Sequence, residues 1–238
     1  MEDKDLEIYI YRFFGFGNWK SKIWFIGIEE GGGNSKEEIS SRLNSWLKYK
    51  TDLIDNNIHH KNIGISDFFD KGKLQPTWKK LIRLKLSYEG KEPNNDLIRD
   101  IQKNNWGRVN SDNALLDLFP LPSPNNSNWF YNEWSKLSYL GTRKDYYNNV
   151  IDKRVEYIQN KIEEYKPEVV VFYSISMLDY WNRIVEYNFN YNSTKVSIDK
   201  SYIKIFKKNG TKFVVTPQPA AVYSNAFWDK AGEFIRNY

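Results

Sequence analysis

The stretch that decides the fold reads Lys22-Ile-Trp-Phe-Ile-Gly-Ile28, and Glu29-Glu30-Gly31-Gly32-Gly33 follows it directly. A near-continuous run of β-branched and aromatic residues is typical of a strand that is buried on both faces, as in a parallel sheet covered by helices. Similar runs follow at 114–119, 168–174 and 212–216. Segments with helical spacing lie between or after them, at 35–50, 146–165, 176–187 and 224–237. The sequence therefore predicts an α/β fold, a three-layer α/β/α sandwich around a central, mainly parallel four-stranded sheet.

The chain length of 238 residues fits a single domain, 1–238. The region 56–110 is less regular, with helical pieces around 78–86 and 96–103, and we interpret it as a helical insertion in the same domain. Residues 188–191 and 201–207 form either an antiparallel hairpin or a short flank before the last strand.

Composition excludes several kinds of chemistry. The chain has no cysteine, which removes disulfides, cysteine-ligated zinc, iron–sulfur clusters and thiol catalysis. The only two histidines, His59 and His60, are adjacent, and without a second cluster at ligand spacing they predict a solvated turn rather than a metal site. No cofactor is expected.

Charge and hydropathy set expectations about partners and location. There are 35 Lys+Arg against 30 Asp+Glu, a net charge of +5 that permits a nucleic-acid partner without requiring one. The first residues are charged, and the longest apolar runs are of strand length, far below the ~20 residues of a membrane span. We therefore expect a cytoplasmic protein that does not cross a membrane.

Candidate functional residues follow the predicted strands, since ligands bind at the carboxyl edge of a parallel sheet. Glu29 and Glu30 end the first strand and precede three glycines, which allow a close approach of backbone to ligand. One of them is a candidate general base for water, or a group that stabilises developing positive charge. The alternative is a solvated loop whose acids cap the next helix.

Two further strand ends carry candidates. Asp117 interrupts an apolar run, where a buried carboxylate is costly unless it is paired, so it is either a ligand contact or part of a buried ion pair or cap. Thr216-Pro217-Gln218-Pro219 is a stiff loop that leads to Tyr223. Such a loop suits insertion between stacked bases, and the alternative is a proline-braced turn with an exposed tyrosine.

Taken in order, these three strand ends resemble the uracil-DNA glycosylase superfamily, nearest to its single-strand-selective monofunctional and mismatch-specific branch. The family motif G-x-N-P-G corresponds to Gly27-Ile28-Glu29-Glu30-Gly31, and N-x-C-P-L corresponds to Asp117-Leu118-Phe119-Pro120-Leu121. The motif H-P-S-P and its DNA-wedging loop correspond to Thr216-Pro217-Gln218-Pro219 and the residues up to Asn225. The resemblance runs from about residue 20 to the end of the chain.

The resemblance implies three groups of site residues. The catalytic group is Glu29, Glu30 and Thr216; the base-binding group is Asp117, Phe119, Gly27 and Gly31; the DNA-contacting group is Pro217, Gln218, Pro219, Tyr223, Ser224 and Asn225. Two catalytic positions depart from the family. Glu29 stands where the family has the asparagine that positions water, and Thr216 stands where it has the histidine that donates to the leaving base.

The base-reading position also departs from the family, since Asp117 replaces an asparagine. An ionised aspartate accepts from the N4 amino group of cytosine and repels uracil O4, and a protonated one can also donate to cytosine N3. Because cytosine itself is normal DNA, the resemblance implies a glycosylase for a modified cytosine, such as hydroxymethyl- or glucosylated cytosine in phage DNA, with a role in defence. The alternatives are a catalytically inactive DNA- or protein-binding relative, or a glycosylase for uracil.

Overall fold

A computed structural model of the protein describes residues 1–125, 127–222 and 224–238, which form one mixed α/β sheet structure. The strands are β1 (Gly15–Phe16), β2 (Ile23–Gly27), β3 (Leu53–Ile54), β4 (Asn113–Asp117), β5 (Val169–Tyr173), β6 (Thr194–Ile198), β7 (Ser201–Lys208) and β8 (Thr211–Thr216). The helices are α1 (Asp3–Arg12), α2 (Lys36–Leu47), α3 (Asn56–Asn62), α4 (Asp67–Asp70), α5 (Pro76–Tyr88), α6 (Asn95–Asn104), α7 (Tyr131–Trp134), α8 (Arg143–Tyr165), α9 (Leu178–Val185), α10 (Phe189–Asn192) and α11 (Asn225–Asn237).

The four predicted strands form the parallel centre of the sheet, where β4, β2, β5 and β8 lie side by side. The prediction of a four-stranded sheet was nevertheless wrong, because the sheet has eight strands of mixed orientation in the order β3-β1-β4-β2-β5-β8-β7-β6. Strands β1 and β3 are two residues long and leave no periodic signal. Strands β6 and β7 form an antiparallel hairpin, but residues 188–191, predicted as one of its two strands, belong to helix α10 and its N-cap Asn188.

The centre of the sheet is buried. Every residue of β2 and β4 is buried, on both faces, which agrees with the continuous apolar runs in their sequences. Helix α1 packs against α2 and α8, and α8 also contacts α9, while α5 packs along α11. No helix of the described ranges is long and apolar enough to cross a membrane.

Strand order places a crevice in the middle of the sheet. Among the four parallel strands, the first in the chain (β2) lies between the second (β4) and the third (β5). The chain thus continues from β2 to the strand on one side of it, β4, and then crosses to the strand on its other side, β5. Ligands bind outside the carboxyl ends of the strands at such a reversal, so this topology predicts a site between the ends of β2 and β5.

Helices α3 to α6 lie within the region 56–110, which the sequence predicted to be helical. Helix α5 approaches α11 closely at Gly232, where an added Cβ would lie against the Leu84 carbonyl oxygen and 2.8 Å from Ser87 Cβ. Lys80 donates to Asn225 and Arg83 donates to Asp229 across the same interface. The region therefore packs against the last helix of the chain.

Candidate functional site

A cavity of about 490 Å³ opens at the carboxyl ends of β2, β4 and β5, at the reversal point of the sheet. Its walls come from the strand ends, from the loop after β4 and from the start of α5. The residues that the argument below uses are Glu29, Glu30, Gly31, Asp117, Tyr147, Tyr173 and Gln218, all of which line it. The structure thus brings together at one cavity residues from all three strand ends that the sequence singled out.

The last residues of the four parallel strands form one row across the sheet. Asp117 is in register with Gly27, and Tyr173 is in register with Thr216. Because Ile26 pairs with Phe172, Gly27 and Tyr173 are the next pair along. Residues in one row of a sheet project from the same face, so the row sets Asp117 and Tyr173 on either side of a glycine that has no side chain.

Asp117 is buried and lines the cavity, and no described protein group forms a hydrogen bond with its carboxyl group. Burial, together with the negative charge of Glu30, raises the pKa of Asp117 to about 8. The group is therefore mostly protonated at neutral pH, so it offers one donor and one acceptor. Among the described residues the Asp117 carboxyl therefore forms neither the buried ion pair nor the cap, and the ligand contact stays a prediction.

Arg154 fixes the backbone under Asp117. This buried guanidinium donates to the carbonyl oxygen of Asp117 at 2.8 Å and also to that of Leu118, and it donates to Ile10 at 2.8 Å. Burial lowers the pKa of Arg154 to about 10, so it remains charged at neutral pH. It holds the end of β4 without pairing with the Asp117 carboxyl.

Glu29 is held by two residues of α8. Arg143 Nη1 donates to Glu29 Oε1 at 2.7 Å, and the Tyr147 hydroxyl donates to Glu29 Oε2 at 3.1 Å. Burial raises the pKa of Glu29, although Arg143 and Tyr147 oppose this shift. A carboxylate with a raised pKa at the edge of a cavity is suited to accept a proton from water.

Glu30 belongs to a different ion network. Arg42 Nη1 donates to Glu30 Oε2 at 2.5 Å, and the same guanidinium contacts Glu38 and the carbonyl oxygen of Gly31. His60 Nε2 lies 3.6 Å from Glu30 Oε1. Burial opposes the ionisation of Glu30, but Arg42 and the two histidines hold its pKa below the ordinary value, so Glu30 is a fixed negative charge beside Asp117.

The prediction of a solvated turn at His59 and His60 was wrong, because both histidines are buried in helix α3. His59 packs between Phe13 and Phe16, and burial lowers its pKa to about 3. His60 lies against Glu30. Within the described ranges no group of three or more His, Cys, Asp or Glu side chains is arranged to hold a metal ion.

The remaining catalytic and base-binding candidates lie at or behind the cavity wall. Thr216 is fully buried and its hydroxyl donates to the carbonyl oxygen of Pro217 at 3.1 Å. Phe119 is also buried, with its ring stacked 3.8 Å from that of Tyr147, so the ring that borders the cavity is Tyr147. At Gly31, an added Cβ would meet no atom within 4 Å.

The loop after β8 contributes one residue to the cavity, Gln218, which is exposed between the buried prolines Pro217 and Pro219. Ser224 caps helix α11 and accepts from the Phe227 amide at 3.4 Å, and Asn225 accepts from Lys80. Tyr223, the candidate wedge, lies outside the described residues.

Sequence reasoning did not identify five residues of the site: Arg42, His60, Arg143, Tyr147 and Tyr173. Arg143 follows Glu29 by 114 positions, and only the tertiary fold pairs them. Of these five residues, only Tyr173 has a local sequence signal that indicates a place in the site. It is the last residue of an apolar strand and thus lies at the carboxyl edge of the sheet.

Comparison of the sequence with models of known protein families and with curated proteins finds no match.

Proposed function

We propose that this protein is a DNA glycosylase that flips a modified base out of DNA and excises it, leaving an abasic site, with modified cytosine such as hydroxymethyl- or glucosylated cytosine as the substrate. One observation carries the proposal: a buried carboxyl group, Asp117, lies without a protein hydrogen-bond partner in the cavity at the reversal point of the sheet. A buried polar group without a partner costs free energy, and a ligand that pairs with it removes that cost.

The fold supports the proposal that this protein is a member of the uracil-DNA glycosylase superfamily. The three strand ends that resemble the family motifs lie at one edge of the sheet and line one cavity, as the resemblance implies. Enzymes that act on a base in DNA extrude it into a pocket, and the cavity at this edge is of a size that accommodates more than a bare pyrimidine ring. The open space at Gly31 leaves room for a substituent on the base.

Asp117 reads the base in this proposal. Its protonated carboxyl donates to cytosine N3 and accepts from the N4 amino group, which lowers the negative charge on the departing base. The same group also matches N3–H and O4 of uracil, and this observation makes uracil the second candidate substrate. Thr216 donates its hydroxyl to Pro217, so the proton for the leaving base is assigned to Asp117 rather than to the position where the family has histidine.

Glu29 activates the water molecule. The bond between C1′ of the sugar and the base nitrogen breaks, and its electron pair leaves with the base, which takes a proton from Asp117. The oxygen of water bonds to C1′ and its proton passes to Glu29, so one water molecule is consumed and both carboxyl groups reset by exchange with solvent. A nearby carboxylate also stabilises the positive charge that develops on the sugar.

DNA substrates that differ in one base test the proposal. Duplex and single-stranded oligonucleotides containing cytosine, hydroxymethylcytosine, glucosylated hydroxymethylcytosine or uracil are incubated with the protein, and abasic sites are detected by alkaline cleavage. We expect release of a modified cytosine, and Glu29→Gln is expected to lower the rate at least a hundredfold while DNA binding is retained. Asp152→Asn, at an exposed acid on α8, is the control and is expected to keep the wild-type rate.

Three other outcomes decide between the candidates. Release of uracil alone identifies the second candidate. Binding of DNA without release of any base contradicts the enzyme and supports an inactive binding relative. An unchanged rate in Glu29→Gln removes Glu29 from the mechanism.

A further inference from the structure

Tyr173 places a phenol hydroxyl in the cavity, and the reaction described so far gives it no role. Its side chain lines the cavity at the end of β5, one strand from Gly27 and two strands from Asp117. Within the described ranges the hydroxyl has no hydrogen-bond partner in the protein. Asp117 and Tyr173 thus place two polar groups in one row at one cavity, each without a hydrogen bond to the described part of the protein, so both are able to pair with one ligand.

Because Gly27 has no side chain, the ring of Tyr173 can lie across the backbone of Gly27. A Cβ added at Gly27 would lie 2.5 Å from Cζ of Tyr173 and 2.7 Å from Cε2, and closer still to the hydroxyl oxygen. The phenol therefore lies over the backbone of Gly27 and extends from β5 towards β4. Adjacent strands are about 4.8 Å apart, so the hydroxyl reaches to within about one strand spacing of Asp117.

The Tyr173 hydroxyl keeps its proton at neutral pH. Burial, reinforced by the negative charges of Asp117 and Glu30, raises the pKa of Tyr173 well above its ordinary value. A phenol in this environment acts as a hydrogen-bond donor and not as an acid that transfers its proton.

We propose that Tyr173 is a further catalytic residue of this site, whose hydroxyl donates a hydrogen bond to the carbonyl oxygen O2 of the flipped pyrimidine while Asp117 contacts N3. This inference rests on the proposed function. O2 and N3 are adjacent on the ring edge, and in the row only Gly27, over which the Tyr173 ring lies, separates the two protein groups. Negative charge develops on O2 as the glycosidic bond breaks, so the hydrogen bond is stronger in the transition state than in the ground state and raises the rate.

The test compares Tyr173→Phe with the wild type in single-turnover excision of whichever base the wild-type protein releases. The substitution removes only the hydroxyl. We expect the rate to fall at least tenfold, while the dissociation constant for the same DNA changes less than about threefold. Tyr180→Phe is the control, because that ring packs edge-on against Phe119 and does not line the cavity.

Each result has a distinct meaning. An unchanged rate in Tyr173→Phe overturns the inference and leaves the proposed function standing. A dissociation constant that rises while the single-turnover rate at saturating protein stays unchanged also overturns it, since that result shows uniform binding of the base rather than stabilisation of the transition state. If the wild-type protein releases no base from any DNA, the proposed function fails, and the role of Tyr173 falls with it.

Discussion

At neutral pH the buried Asp117 keeps a proton that an exposed aspartate loses, and this difference should make the free energy of unfolding depend on pH. Between about pH 4 and about pH 8 the unfolded chain ionises Asp117 while the folded protein does not, so ionisation favours the unfolded state and stability falls as pH rises through this window. Asp117→Asn removes this contribution. We expect the variant to be more stable than the wild type near pH 8 by on the order of several kcal/mol, with a much smaller difference near pH 4. Urea unfolding of both proteins at the two pH values measures this, and a pH-independent difference would contradict the raised pKa.

The negative charge of Glu30 should have a measurable effect on the pKa of Asp117. After burial, the charge of Glu30 is the largest cause of the raised pKa, so Glu30→Gln is expected to lower the pKa of Asp117 below its wild-type value of about 8. Carbon-13 NMR titration of the aspartate carboxyl groups, assigned with Asp117→Asn, provides the measurement. Glu38→Gln is the matched control, because Glu38 pairs with the same Arg42 but is not a cause of the shift at Asp117. Equal shifts in both variants would show that Arg42, and not Glu30, governs Asp117.

At the scale of elements, the contact between α5 and α11 depends on Gly232. Alanine there improves helix propensity by about 1 kcal/mol, but its Cβ would press on the Leu84 carbonyl and on Ser87, and overpacking costs about 1–3 kcal/mol. We therefore expect Gly232→Ala to destabilise the protein in urea unfolding. Glu233→Ala, at the exposed neighbouring position, is the control for an alanine introduced into the same turn of the helix. A Gly232→Ala protein that gains stability would show that the two helices separate readily.

Elements with strong local patterns were predictable, and those that depend on distant partners were not. Strand β2 and helix α8 could be predicted from local sequence. Strand β2 is buried throughout and is therefore a continuous apolar run, and α8 buries one face and therefore shows helical spacing of its apolar residues. Strand β1 consists of Gly15 and Phe16 and exists only because β3 and β4 flank it. His59 and His60 have no local signal of burial, because the aromatic rings that enclose them come from other parts of the chain.

At the scale of the whole molecule, the sequence indicated where the site lies but not how its charges are balanced. Glu29, Glu30 and Asp117 were recognisable as acids at strand ends. Arg143 and Arg42, which pair with Glu29 and Glu30, come from helices α8 and α2, and the sign of each pKa shift follows from the balance between burial and these cations. At Glu29 burial outweighs Arg143, and the pKa is raised. Glu30 has a cation beside it and stays ionised, whereas Asp117 has none at its carboxyl and keeps its proton. That distinction requires the three-dimensional arrangement.

Strand β6 ends the sheet, and its outer edge has backbone donors and acceptors that no other described strand takes up. An exposed edge of this kind can template the addition of a strand from another copy of the chain. Lys195 lies within β6 with its ammonium over the ring of Tyr202, so a second copy that paired here would have to bury or displace a charge. We therefore expect this lysine to oppose polymerisation and fibril growth when the protein is concentrated.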